Sequence, residues 1–491
     1  MNNLTSIKTV DLFALKLRDI PGYLFMTLLG LWCTYGAVYM NNGRVGWLVF
    51  TALILIIAIY DKKIPLFILF HVFLLKGLIY NSSIRNADIG LIKILQINES
   101  WVLESYSNLS YTFIIFVFFI IFETIFVRKN IIEPIFRKLL AIIIVMSVVT
   151  VIHIVFRDDG LKNTLTIFGF LIFPILLIIA IGQIYTRKQL TSIFPYFLFS
   201  IGMYQAILVG AFWIPEIISN ISRFSGDFIT GTGSSVTDFT HITGTALIIY
   251  ALGVNNSKSG KSIILILTLI IFLGQSSTQI IVLICSIFAA IIFYRNIKIK
   301  VIINTLSLVA FAWLLTNVVV VIMPYLQRHI DYLFRILNLY YSLGILDNPK
   351  ITGIMKIFSD FSNSDISTLL FGFGSGEFLN KYSLDIEYYA KIHQSMATTF
   401  HTSLNILAYD HGILLVGLFI LSYFQLGRSI LLKAKKNNGS LLHAGVGLVI
   451  FYCLTYLLFP TGTSILTGMI FGAFVGMILL ICNEEEELTA H

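Results

Sequence analysis

Charge is what this sequence has least of. Only 12% of its 491 residues are Asp, Glu, Lys or Arg, while 57% are hydrophobic and the mean hydropathy is +0.89. A soluble globular domain carries about 25% charged residues, so that class is excluded. Alternating segments of about ten residues, the mark of a membrane barrel, are missing too. The apolar runs instead last about 17 to 23 residues, the length of helices crossing a hydrocarbon core about 30 Å thick. Cysteine is scarce: Cys33, Cys285, Cys453 and Cys482 each lie in or at the end of an apolar run. That leaves neither a disulfide framework nor a metal cluster. A cleavable leader is not expected, because the first 21 residues are mixed polar and the first apolar run has the character of a retained span. No chain of Asp, Glu and His crosses the apolar runs, and no segment repeats another. These absences weigh against a proton-coupled pump and against a transporter built from internal repeats.

What is present is an all-α polytopic membrane protein, read as one integral membrane domain, 1–491. Apolar runs set against basic flanks give fourteen spans, at 22–40, 45–60, 64–80, 111–127, 139–155, 164–185, 193–214, 241–254, 263–275, 277–294, 301–323, 412–426, 441–459 and 464–482. With both termini cytoplasmic, the inside segments carry 20 Lys and Arg and the outside loops 12, half of these in one long loop; Lys76 lies within a span. The short loops show the bias most sharply, and short loops are what the positive-inside rule counts. The long loop, 324–411, between spans 11 and 12, therefore faces outward. It is the one sizeable polar platform in the chain, and chemistry is expected there.

Among the other outer segments, 81–110 is polar with scattered apolar residues and suits an interfacial helix rimming a cavity. The segment 215–240 is rich in Gly, Ser and Thr around Arg223. Such a loop can bring backbone N–H groups close to an anion, and it reads equally as a flexible connector with one solvated Arg. Within the long loop, Arg328, Asp331, Arg335 and Asn338 fall at steps of three and four and share one helical face. Leu326, Ile330, Leu333, Leu337 and Tyr341 form an apolar stripe on the other side, as in a helix lying on a membrane surface. Either Asp331 and Arg335 make an exposed pair worth about 0.5 kcal/mol or less, or the polar stripe turns toward a diphosphate, which Arg grips with its bidentate fork.

The run Gly372-Phe373-Gly374-Ser375-Gly376 follows no βαβ unit, so it reads as a tight turn that approaches a neighbouring element or a ligand closely. His393, His401 and His411 are spaced eight and ten residues apart, unlike helical ligand pairs, and no Cys or paired carboxylate joins them. No metal is expected. A single His a few residues before a span suits a general base or hydroxyl-orienting group, or an interfacial side chain bonded to backbone. Inside the spans, Lys76 and Glu123 sit at opposite ends and are expected to snorkel to opposite faces rather than pair. His71 and His153 read as packed polar residues.

The run Leu370-Phe371-Gly372-Phe373-Gly374-Ser375-Gly376-Glu377-Phe378, with His401-Thr402-Ser403-Leu404 and Asp410-His411-Gly412-Ile413, resembles the signature of the O-antigen polymerase and O-antigen ligase superfamily. That signature has a glycine-rich turn, an H-N pair, and a span-opening Gly eleven residues after the His, preceded at two residues by an acidic group. His401 and Gly412 keep the spacing; Thr402 replaces the usual Asn and Asp410 the usual Glu. Arg223-Phe224-Ser225-Gly226-Asp227-Phe228 is similar to the family's R-x-x-G-x-F outer loop, without the Pro-Asn that often follows. The turn Gln275-Ser276-Ser277-Thr278 matches the family's Ser-Arg turn but lacks the Arg.

The resemblance covers roughly 193–480 and implies a GT-C-like glycosyltransferase in the bacterial inner membrane, with 215–240 and 324–411 as periplasmic loops. It implies metal-independent, inverting transfer from undecaprenyl-diphosphate-linked oligosaccharides. His401, Arg223 and Arg335 are then the expected catalytic residues. Arg328, Lys356, Gly372, Gly374, Gly376 and Asp410 are expected around the substrate, with Arg328 and Lys356 as other sources of the second cation. No cofactor and no nucleic acid are expected; a polysaccharide chain-length regulator is a partner by resemblance. Repeat-unit polymerisation of O-antigen or a related surface polysaccharide is the leading reading. The open alternatives are an O-antigen ligase, which would transfer glycan to lipid A core, and a lipid-linked oligosaccharide flippase or transporter.

Overall fold

The computed structural model describes residues 20–41, 43–76, 99–127, 134–157, 161–208, 236–253, 267–268, 277–293, 349–374, 377–378, 380–382, 403–437, 440–458 and 465–483. Among these, secondary structure is helical throughout: α1 Ile20–Met40, α2 Gly43–Tyr60, α3 Lys63–Leu74, α4 Glu99–Phe122, α5 Pro134–Arg157, α6 Leu161–Ile184, α7 Arg187–Leu208, α8 Val236–Ile248, α9 Ser277–Phe293, α10 Pro349–Ser362, α11 Ile366–Phe371, α12 Ser403–Asn437, α13 Ser440–Leu458 and α14 Ile465–Asn483. α4 and α8 each end in a π turn, Glu123–Val127 and Ile249–Gly253.

Among the described residues, five helical stretches are long and apolar enough to cross a membrane: Pro21–Met40, Gly43–Tyr60, Glu104–Val127, Phe136–Val155 and Leu404–Lys435. α6 and α7, which meet at 103°, make a sixth if the bent pair is one span, and α3, α8, α9, α13 and α14 are shorter apolar helices. The chain is thus a multi-pass α-helical membrane protein. Where the predicted apolar runs are described, they are helical over almost their whole length; 301–323 lies outside the described residues, as do 77–80, 209–214 and all of 263–275 but 267 and 268.

Two helix starts differ most from the sequence expectation. α4 begins at Glu99, so 99–110 is the first part of a span-bearing helix, with Ser105 and Leu109 fully buried. α12 begins at Ser403 rather than near 412, because helix continues on both sides of a bend. Hydropathy marks where lipid begins, and helices run past that point.

The centre of the bundle is α14 packed on α6. Gly468, Gly472 and Gly476 recur every four residues on one face of α14 and let it lie against Pro174, Leu177, Ile178 and Ile181 of α6. A Cβ at Gly468 would come within 2.8 Å of Pro174 Cγ, one at Gly472 within 2.7 Å of the Pro174 carbonyl oxygen, and one at Gly476 within 3.0 Å of Ile181 Cβ. In lipid, where helices gain little by hiding apolar surface from each other, such close approach is what drives association. α12 packs on α13 and α5, and α13 on α9 and α14, which ties the C-terminal helices to the centre.

The ionisable groups of the apolar runs have partners of their own. Glu123 pairs with Lys62 at 2.7 Å, at one end of α4, while Lys76 Nζ lies 5.5 Å from the centre of the Tyr106 ring. His71 is packed: its Nδ1 donates to the Phe67 carbonyl at 2.8 Å, and its Nε2 meets the Tyr196 hydroxyl at 2.7 Å.

Candidate functional site

The glycine run and the Asp410-His411-Gly412 segment meet where the long loop joins a span. α11 is a six-residue helix capped by Asp365, whose carboxylate accepts from the Thr368 N–H at 2.9 Å and from the Ser367 hydroxyl at 2.7 Å. It ends at Gly372, with φ +82°, and Gly374 follows with φ +123°. Both lie in the left-handed region that favours glycine. Opposite them, α12 bends at Gly412, with φ +81° and ψ +170°.

The two glycines face each other. A Cβ on Gly372 would sit 2.6 Å from the Gly412 nitrogen and overlap the Asp410 carbonyl; a Cβ on Gly412 would sit 2.6 Å from the Gly372 nitrogen and overlap the Leu370 carbonyl. Backbone bonds lock the approach. Phe373 N–H donates to the Tyr409 carbonyl at 2.8 Å, and Gly374 N–H to the Asp410 carbonyl at 3.1 Å. A helix that bends leaves backbone carbonyls short of partners, and the glycine turn supplies donors to two of them. The buried Asp410 carboxylate adds a third tie, accepting the Phe378 N–H at 2.8 Å from 32 residues away. From the bundle side, His153 of α5 donates its Nδ1–H to the Phe371 carbonyl at 2.6 Å, and its ring lies 4.8 Å from that of His411.

Beside this joint lies an aromatic cluster with a charged rim. Phe373 stacks on Tyr409 at 4.4 Å and 17°, Phe361 packs on both, and Phe378 and Tyr382 close the far side. Asp360 pairs with Lys381 at 2.6 Å and accepts the Tyr382 hydroxyl. Partial burial works against the charge on Asp360, but Lys381 and the hydroxyls of Tyr382 and Tyr409 outweigh it and hold the carboxyl below its usual range. Burial likewise opposes the charge on Lys381, and Asp360 and Tyr409 outweigh it and raise its pKa. Lys381 Nζ also lies 5.9 Å from the Phe373 and Tyr409 ring centres, while Lys356 Nζ lies 6.0 Å from that of Tyr382. Both distances are within cation–π range.

Of the residues singled out in the sequence, Gly372, Gly374 and Asp410 come together in the joint, and Lys356 stands at the edge of the adjoining cluster. Arg223, Arg328, Arg335, Gly376 and His401 lie outside the described residues. Asp360, Lys381, Tyr382 and Tyr409 escaped sequence reasoning, and His153 was read only as a packed polar residue. Lys381-Tyr382 follows the glycine run closely and Tyr409 adjoins Asp410, yet no spacing ties either pair to Asp360.

Chemically, the joint is a rigid backbone crossing at the foot of a span, and the cluster is a small buried aromatic core with the Asp360–Lys381 pair at its rim. No protein-family model matches this sequence, and no curated protein matches it either.

Proposed function

We propose that the protein polymerises undecaprenyl-diphosphate-linked oligosaccharide repeat units of O-antigen or a related surface polysaccharide, at the periplasmic face of the bacterial inner membrane. The observation that carries this reading is the joint: the glycine turn and the Asp410-His411-Gly412 bend, the parts of the resembled signature within the described residues, hold each other in one fixed crossing. The chain carries fourteen spans in this reading, with both termini cytoplasmic and the loops 215–240 and 324–411 outside. His401 precedes α12 by two residues, so the crossing fixes the helix that follows it.

Transfer proceeds without a metal. The acceptor hydroxyl oxygen attacks the anomeric carbon of the donor from the face opposite the diphosphate, and the carbon–oxygen bond to phosphate breaks. Undecaprenyl diphosphate leaves with the bonding electrons. His401 takes the hydroxyl proton. Arg223 and Arg335 stabilise the charge that develops on the leaving diphosphate, with Arg328 and Lys356 as neighbouring cations. Gly372, Gly374, Gly376 and Asp410 set the backbone that shapes the site. With no catalytic carboxylate assigned, positioning and electrostatics provide most of the rate.

The test is the ladder of surface polysaccharide from a deletion strain complemented with wild-type, Arg223→Ala or His401→Ala protein at matched membrane levels. Variants that leave core bearing a single repeat unit are the expected result. Bare core with long lipid-linked polymer accumulating would reassign the protein as a ligase, and wild-type ladders from both variants would overturn the site.

A further inference from the structure

α10 lies outside the membrane-length helices yet presents apolar side chains in opposite directions. Gly353, Ile357 and Phe361, four residues apart, are buried toward α12, where Phe361 packs on Tyr409. On the other side Met355 is 57% and Phe358 66% exposed, and just past the corner into α11 Ile366 is 75% exposed. Large apolar side chains left in water are unfavourable in proportion to their area, so this edge calls for a cover.

Its surroundings identify the cover. α10 and α11 both pack on α12. One residue past the Gly412 bend, α12 exposes Ile413, followed by Ile420, Leu421 and Phe424, the outward surface of a membrane-crossing helix. The edge of α10 thus stands beside the level where α12 enters lipid. Its rim carries both signs: Lys356 lies on the neighbouring face, Lys381 is 47% exposed and paired with Asp360, and the exposed Asp365 adjoins Ile366. An exposed apolar edge with lysines beside it suits a helix lying in the bilayer interface, where the lysines reach the phosphates.

We propose that α10 and α11 rest on the bilayer surface, with Met355, Phe358 and Ile366 at the boundary of headgroups and acyl chains and Lys356 and Lys381 at the level of anionic lipid phosphates. The proposal rests on the membrane architecture and does not depend on glycosyl transfer. Such seating holds the cluster around Tyr409 at lipid height, where a lipid-linked molecule would present its headgroup.

The test places single cysteines at Met355, Phe358 and Phe424 in a chain whose four native cysteines are replaced. Each is labelled with an environment-sensitive fluorophore in vesicles of phosphatidylglycerol and phosphatidylethanolamine. Spin-labelled lipids should quench positions 355 and 358 strongly, approaching the loss at 424, while aqueous iodide quenches them weakly. Quenching of 355 and 358 by iodide but not by lipid, or a signal that fades when the protein is diluted among vesicles and so reports a second copy, overturns the proposal. Should a labelled variant fail to fold, the unmodified chain is crosslinked with diazirine-bearing phospholipids. Adducts on the 349–362 peptide are expected, and adducts confined to the spans contradict the seating.

Discussion

At Gly372 and Gly412 the backbone does what a side chain would forbid. Each has a positive φ, and each would drive a Cβ into the other's strand of the crossing. Gly372→Ala or Gly412→Ala combines strained backbone with overlap and should cost on the order of 3 kcal/mol, read as a lower midpoint in thermal unfolding of the purified protein; an unchanged midpoint would show that the crossing gives way cheaply. The Asp360–Lys381 pair is partly solvated and contributes about 1 kcal/mol or less. Its pH dependence follows from the two shifts. Asp360 is depressed, so its contribution is present above the ordinary value of 3.8 and is lost as pH falls through the lower folded value. Lys381 is raised, so its contribution is present below 10.5 and is lost as pH rises through the higher folded value. Short deuterium pulses at one fixed pH, after incubation across the range, should show 377–382 protected between those limits, with Asp360→Asn abolishing the acid-side loss. The glycine turn and its reach toward a neighbour were legible from the G-x-G run. The Asp360 cluster was not, because Asp360 and Tyr382 are 22 residues apart and nothing local forecasts that they meet. His153, 218 residues from its partner Phe371, was legible only as a packed polar residue.

Among the elements, α14 depends on its glycines. Gly472→Leu puts a branched side chain where the Pro174 backbone stands and should separate α14 from α6, with loss of folded protein after detergent extraction. Gly417→Leu is the control, since nothing lies within 4 Å of a Cβ there, and it should be tolerated. Comparable yields from the two variants would contradict the close-packing account. The stripe of Gly468, Gly472 and Gly476 was not read from the sequence, nor was its partner, because hydropathy says that a helix is apolar without saying which neighbour it touches. The same limit explains α4 and α12. Both extend beyond their apolar runs, since a helix goes on wherever its backbone bonds and packing allow.

For the whole molecule, composition alone carried the class. Scarce charge and long apolar runs led to a multi-pass helical membrane protein, and the structure has that architecture. The charge balance of the short loops predicts that the long loop lies outside. In intact spheroplasts a cysteine at Lys381 should therefore react with a membrane-impermeant maleimide, while one at Lys433 should react only after lysis. Reversed labelling would invert the topology. The proposed function rests on one short signature, whose turn and span-side ends close on each other in the joint.

The central claim is glycosyl transfer between lipid-linked units, and reconstitution tests it most directly. The purified protein in liposomes is given lipid-linked oligosaccharide extracted from cells lacking the protein, in the presence of a chelator, and polymer length and released polyprenyl diphosphate are measured together. The account predicts a ladder of polymer with one diphosphate released per bond formed, and no ladder from His401→Ala. Oligosaccharide that crosses the bilayer unchanged, with no polymer and no released diphosphate, would contradict it.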